Sequence, residues 1–180
     1  MKISGLQKLT LLDFPGHVAC TVFFSGCDLR CPFCHNAPLV TKIDPLDGME
    51  EEEFFDFLEH RRGILDGVAI TGGEPLLRRD IVDFIRRIRG MGYAVKLDTN
   101  GTHPDALAEL ISEGLVDYVA MDIKNSREKY SLTCGVDVDT NAIDESIAII
   151  IGSGIAHEFR TTVVEELHEP SDFAAILAAL

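Results

Sequence analysis

No apolar run in this sequence approaches the roughly 20 residues that a bilayer-spanning helix needs. The first ten residues, Met1 to Thr10, lack the charged-then-apolar pattern of a secretory signal. Together these absences lead to the expectation of a soluble, cytoplasmic protein with no membrane partner. Basic residues are also scarce. Sixteen Lys and Arg against 30 Asp and Glu give a formal net charge of −14. That balance argues against broad nucleic-acid binding, which needs a basic surface, but it says little about fold. Part of the acid is local: Glu50 to Glu53 open an expected helix, where carboxylates favour the positive end of the helix dipole. No stretch reads as a linker, a repeat or a low-complexity segment. An evenly spread disulfide framework is missing as well. There are five cysteines, an odd number, and three of them crowd between Cys27 and Cys34. Such crowding in a cytosolic protein points to a metal or cluster site.

What is present is a chain of 180 residues, 46% apolar, enough for one domain with a real core. Strand and helix signals alternate along it. The strand-like runs are Val18 to Phe24, Gly67 to Thr71, Ala94 to Asp98, Asp117 to Ile123 and Glu158 to Val164. Helical spacing of apolar residues marks Glu50 to Leu58, Leu77 to Met91, Asp105 to Glu113, Thr140 to Gly152 and Pro170 to Leu180. Five consecutive βα units predict a parallel sheet with helices outside it, open or curved into a barrel. In such sheets the chemistry gathers at the carboxyl ends of the strands. Each unusual motif of this chain lies there. The sequence stops at Ala178–Ala179–Leu180 in mid-pattern, which leads to the expectation that a closing element is missing at the C-terminus.

Five motifs carry possible chemistry. Directly after the first strand and Gly26, Cys27, Cys31 and Cys34 are spaced C-x3-C-x2-C. Thiolates are the usual ligands of iron–sulfur clusters. Three of them leave one iron of a four-iron cubane open to a small molecule. The rival is a closed zinc site that adds His35, although adjacent Cys34 and His35 would find it hard to reach one metal. Cys20, inside a strand, and Cys134, far from the trio in sequence, read as ordinary cysteines. Next comes Thr71-Gly72-Gly73-Glu74-Pro75, which is either a simple tight loop or a turn that approaches a ligand and offers Glu74 to an ammonium group. Asp98 in Asp98-Thr99-Asn100-Gly101, and Asp122 with Lys124 in Asp122-Ile123-Lys124, place carboxylates at two further strand ends. Each, taken singly, could be a turn residue or a surface ion-pair partner. Finally, Arg160 sits in a strand of buried character and needs a partner, either a ligand carboxylate or a structural acid such as Asp122.

These residues resemble the radical S-adenosylmethionine superfamily. C-x3-C-x2-C after the first strand is its signature, and Gly72-Gly73-Glu74-Pro75 after the second supports it. The likeness sharpens toward the activating enzymes of glycyl-radical enzymes. GLQKLTLLDFPG from Gly5 to Gly16, FSGCDLRCPFCHN from Phe24 to Asn36, TGGEPLL, LDTNG and MDIK look like the branch that activates anaerobic ribonucleoside-triphosphate reductase. The resemblance implies an α/β fold, a partial (β/α) barrel of the radical SAM type. About five of the usual six βα units would be present in a single domain over residues 1–180. It implies a [4Fe-4S] cluster on Cys27, Cys31 and Cys34, with the amino and carboxylate groups of S-adenosylmethionine on the open iron. Gly72, Gly73 and Glu74 would receive the amino group, and Asp98, Asp122, Lys124 and Arg160 would line the pocket. Phe33 would lie next to the adenine, or pack over the cluster. The implied reaction is an oxidoreductase step: reductive cleavage to methionine and a 5′-deoxyadenosyl radical, which takes a hydrogen atom from a glycine of a partner. That partner would be a glycyl-radical enzyme such as anaerobic ribonucleotide reductase, and the electron would come from a small protein such as flavodoxin or ferredoxin. A small-molecule substrate and a non-catalytic zinc or iron–sulfur domain are the alternatives.

Overall fold

The apolar runs become strands because they can be buried on both faces, and the amphipathic segments become the helices that bury them. The structure, a computed structural model, describes residues 2–43 and 48–180. In chain order the strands are β1 (Lys2–Ile3), β2 (Gly5–Thr10), β3 (Ala19–Phe24), β4 (Met49–Glu50), β5 (Gly67–Gly72), β6 (Ala94–Thr99), β7 (Tyr118–Asp122) and β8 (Ala156–Arg160). The helices are α1 (Ala37–Thr41), α2 (Glu51–Glu59), α3 (Ile81–Gly90), α4 (Pro104–Ser112), α5 (Tyr130–Cys134), α6 (Thr140–Ser153) and α7 (Pro170–Ala179).

The main sheet has the order β2-β3-β5-β6-β7-β8, with β2 antiparallel to β3 and every other neighbouring pair parallel. Among the described residues there are thus five parallel strands, as the sequence pattern predicts. Nearly every residue of β3 and of the first part of β5 is buried, as expected where helices and sheet cover both faces. On α3, Ile81, Phe84, Ile85 and Ile88 face inward while Arg86 and Arg87 stay in water. Phe84 stacks on Phe54 at 5.5 Å and meets Phe24 edge-on at 5.4 Å, so β3, α2 and α3 share one aromatic core.

Three readings of the sequence need correction. The sequence pattern does not predict β2: it is an edge strand with Gln7, Lys8 and Leu9 exposed, so it lacks the apolar density of the central strands. The fifth parallel strand runs over Ala156–Arg160, not Glu158 to Val164, and it is largely exposed or half-buried. Its partner β7 ends at Asp122, and after the bond from the Ile123 amide to the Arg160 carbonyl the ladder has nothing left to pair with. The helix read from Leu77 begins at Ile81. Pro75–Leu77 instead form a short 3-10 turn, because Glu74 accepts the Leu76 amide and Arg78 is extended.

All five parallel strands point their carboxyl ends to one rim. The segments leaving β3, β5, β6, β7 and β8 therefore meet there.

Candidate functional site

The cysteine loop leaves β3 through Gly26, whose φ of 95° lies in the region only glycine enters freely. Main-chain bonds then hold the loop from both sides. The Gly26 amide donates to Leu39, the Glu74 amide to Gly26, and the Arg30 amide to Cys134 at 2.8 Å. The Arg30 guanidinium folds back on the carbonyls of Cys27 and Leu29. Leu29 is buried and pins the middle of the loop. Cys27, Cys31 and Cys34 are each half-buried, and none is in a disulfide.

The Gly72–Gly73 turn is required by backbone, not by a ligand alone. A Cβ on Gly73 would lie 1.8 Å from the Gly26 carbonyl oxygen, and one on Gly72 would lie 2.2 Å from that of Phe24. The turn is pressed against the root of the cysteine loop, and the Asn36 side chain adds a third tie by donating to the Gly72 carbonyl at 3.0 Å. Glu74 differs from the reading that offers it to an ammonium group. It is fully buried, it does not line the cavity, and both its oxygens are taken by protein donors. Oε1 accepts from the Leu76 amide and the Thr99 hydroxyl, each at 3.0 Å, and Oε2 accepts from the Asn100 amide at 2.7 Å. Burial without a cation pushes its carboxyl up to about 7, against the pull of these neutral donors.

The ends of β6, β7 and β8 form an ion network. Asp122 accepts from Lys124 at 2.9 Å and from Arg160 Nε at 2.9 Å. Asp98 accepts from buried Lys96 at 2.6 Å and lies 3.5 Å from Arg160. Arg160 therefore has the structural acid as its partner. Burial alone would raise the Asp122 carboxyl, but the charges of Lys124 and Arg160 outweigh it and hold it below its ordinary value. Lys124 also lies near Cys31. The Cys31 thiol is lowered first by its interaction with the thiol of Cys134 and further by the Lys124 charge, while Cys134 is raised. Cys134 is thus a neighbour of the trio in space, because α5 carries it under the cysteine loop. Cys27 is pushed up to about 11, chiefly by burial and further by the Asp28 carboxylate.

One cavity of about 340 Å³ opens at this rim. Cys27, Cys31, Cys34, Phe33, Gly72, Gly73, Asp98, Asp122, Lys124 and Arg160 all line it, so of the eleven residues singled out in the sequence only Glu74 stands behind its wall. Sequence reasoning missed Asn36, Thr99 and Asn100, which also line it. Asn36 closes one of the quoted motifs, and Thr99 and Asn100 lie inside another, which was the one available signal. Among the described residues, no three His, Cys, Asp or Glu side chains converge on one metal ion. A zinc site would need them within about 2.3 Å of a single point, whereas a cubane spreads its ligands over separate irons.

The family profile of the Radical SAM superfamily matches residues 21–175, nearly the whole of this layout. The chain belongs to the Radical SAM superfamily. Members of the superfamily bind a [4Fe-4S] cluster and S-adenosylmethionine. A protein of Methanocaldococcus jannaschii named "Putative glycyl-radical enzyme activating enzyme" is 34% identical over 179 residues, 97% of this chain and 73% of its own length. The pyruvate formate-lyase-activating enzyme of Clostridium pasteurianum is 26% identical over 95% of this chain and 72% of its own. A "Probable GTP 3′,8-cyclase" of Pyrococcus abyssi is 39% identical, but over 62% of this chain and 36% of its own. Among solved structures, Streptococcus suis SuiB bound to precursor peptide SuiA superposes with a TM-score of 0.70 at 15% identity, over 88% of this chain and 35% of that one. At that identity the likeness concerns the radical SAM fold alone. Among the described residues, no helix is long and apolar enough to cross a membrane.

Proposed function

We propose that this chain is a glycyl-radical-enzyme activase, with Cys27, Cys31 and Cys34 holding the cluster and the adjoining cavity taking S-adenosylmethionine. The observation that carries the reading is the 34% identity to the M. jannaschii activating-enzyme relative across 97% of the chain. The cyclase similarity is confined to 62% of it. The donor set suits the group: three thiols, none in a disulfide, on one eight-residue loop open on the same cavity as the glycine turn and the ion network.

When bound, the cluster and S-adenosylmethionine supply one-electron cleavage of a carbon–sulfur bond and a carbon-centred radical able to remove a hydrogen atom. The chain's own residues do the rest. The backbone of Gly72–Gly73 offers polar groups to an amino group. Lys124 and Arg160 offer positive charge to a carboxylate, held in place by Asp122 and Asp98. Phe33 presents an aromatic face to an adenine. Val40 and Leu29 keep that side of the cavity apolar, which limits water near a reactive species. No general base is needed for hydrogen-atom transfer. The partner is a glycyl-radical enzyme, with anaerobic ribonucleotide reductase as the first candidate from the quoted motifs, and a flavodoxin- or ferredoxin-type protein would deliver the electron.

The experiment is electron paramagnetic resonance on anaerobically reconstituted, dithionite-reduced protein. A four-iron signal that changes when S-adenosylmethionine is added is expected. A chain that takes up one zinc and no iron would defeat the reading. Incubation with a candidate reductase should then yield a glycyl-radical doublet. A changed cluster signal without any doublet across glycyl-radical partners would move the assignment toward a small-molecule substrate.

A further inference from the structure

The turn after β6 is tied down on every side. Gly101 follows Asn100 with φ 80°, and its missing side chain leaves room for Met121, whose Cε would lie 2.1 Å from a Cβ there. The Gly101 carbonyl accepts from Ser146 at 2.7 Å. Below the turn, Glu74 takes the Asn100 amide at 2.7 Å and the Thr99 hydroxyl at 3.0 Å. These contacts leave the Asn100 side chain little freedom, and only 6% of the residue is exposed.

The direction of its side-chain amide follows from its partners. Oδ1 accepts from the Thr102 amide at 2.9 Å and the Thr102 hydroxyl at 2.6 Å. The Thr102 amide can only donate, so the oxygen must face it and the NH2 group must face the other way. There it meets two acceptors: Asp28 Oδ1 at 2.8 Å and Cys27 Sγ at 3.8 Å. The same sulfur accepts from the Leu29 amide at 3.4 Å and has Asp28 Oδ1 at 3.8 Å. His103 approaches the other Asp28 oxygen at 3.4 Å.

We propose that Asn100 is a positioning residue for Cys27: its NH2 group donates to the sulfur and at the same time fixes the Asp28 carboxylate beside it, while Glu74 holds Asn100 from beneath. This rests on the reading that Cys27 is a cluster ligand. Hydrogen bonds to ligand sulfurs favour the more negative, reduced cluster, and the Asp28 charge beside the sulfur opposes it, less so while Asn100 donates to that carboxylate. The pair Asn100–Glu74 thus acts on how readily the cluster accepts its electron. Glu74 works through Asn100, which is a different task from touching substrate.

The test compares wild type, Asn100→Ala and Glu74→Gln after anaerobic reconstitution, by iron and sulfide content and by a redox titration followed by electron paramagnetic resonance. Asn100→Ala is expected to retain its iron. Its reduction equilibrium should shift about tenfold toward the oxidised form, which is ~59 mV for one electron. Glu74→Gln keeps one acceptor oxygen but turns an NH2 group toward at least one of the three donors that the carboxylate accepts from. It should shift the equilibrium in the same direction by a smaller factor. An unchanged midpoint in both variants, or a shift toward the reduced form, overturns the proposal. So does loss of the cluster from both variants while wild type retains it, since that would make the pair scaffold only. Failure of wild type to bind iron would instead strike the assignment of the cysteines.

Discussion

Glu74 and Asp122 are both carboxylates just beyond or at the end of a parallel strand, yet their surroundings are opposite. Glu74 is sealed in, has three neutral donors and no cation, and is pushed up to about 7. Asp122 lies on the cavity with Lys124 and Arg160 against it and is held below its ordinary value. The difference separates two jobs at one rim. The β5–β6 side is a scaffold that presses backbone against backbone to shape the cysteine loop. The β7–β8 side is a charged surface whose cations are still partly free to meet a ligand.

The sharpest way to break the comparison is on the scaffold side. Gly73→Ala places a methyl 1.8 Å from the Gly26 carbonyl oxygen, and that neighbour is backbone that cannot step aside. Overpacking of this kind costs about 3 kcal/mol or more. Chemical denaturation should show that loss, and the variant should take up little iron. A stable Gly73→Ala protein with full iron content would show that the turn and the loop are not mutually dependent.

The second effect is a pH slope, and the two carboxylates give it opposite signs. Glu74 ionises near 4.5 when unfolded and near 7 when folded. Between those values the folded state holds the extra proton, so stability falls as pH rises, by ~3 kcal/mol across the window. Asp122 is lowered when folded, so its contribution is present above its unfolded value of 3.8 and is lost as pH falls below it. His103, raised above 6.5 by its Asp28 partner, has the same sign as Glu74 one window higher. Subtracting the pH profile of Glu74→Gln from that of wild type isolates the Glu74 slope below about 6.5; above it the His103 contribution changes too, because the Glu74 charge helps to raise that imidazole. A difference that is flat between pH 4.5 and 7 would mean that Glu74 is already ionised in the fold.

The same contrast explains what was legible in the sequence. The parallel strands were visible as dense β-branched and apolar runs, and the three cysteines by spacing. The charged side was legible too, because Asp122, Lys124 and Arg160 are charged residues in places where charge needs a reason, and Asp98 reaches into it from the end of β6. The scaffold side was not. Glu74 looked like another ligand-facing acid, since nothing in its neighbours in sequence shows that Thr99 and Asn100 arrive from β6 to enclose it. Cys134 looked remote because its nearness to Cys31 is made by the Arg30–Cys134 main-chain bond between segments about a hundred residues apart. β8 was read four residues too far because Thr161 to Val164 have strand propensity without a strand to pair with.

The smallest effect on stability belongs to the charged side. Arg160→Met leaves Asp122 with Lys124 and Asp98 with Lys96, so neither acid is stranded. The Arg160 side chain is itself 37% exposed, and pairs of that kind contribute about 1 kcal/mol or less. The fold should therefore hardly respond. If Arg160 is there to meet a ligand carboxylate, binding should respond more: equilibrium dialysis of anaerobically reconstituted protein should show S-adenosylmethionine affinity weakened by about tenfold, ~1.4 kcal/mol. A variant that loses stability and keeps its affinity would place Arg160 with Glu74, on the scaffold side, and the line between the two halves of the rim would have to be drawn elsewhere.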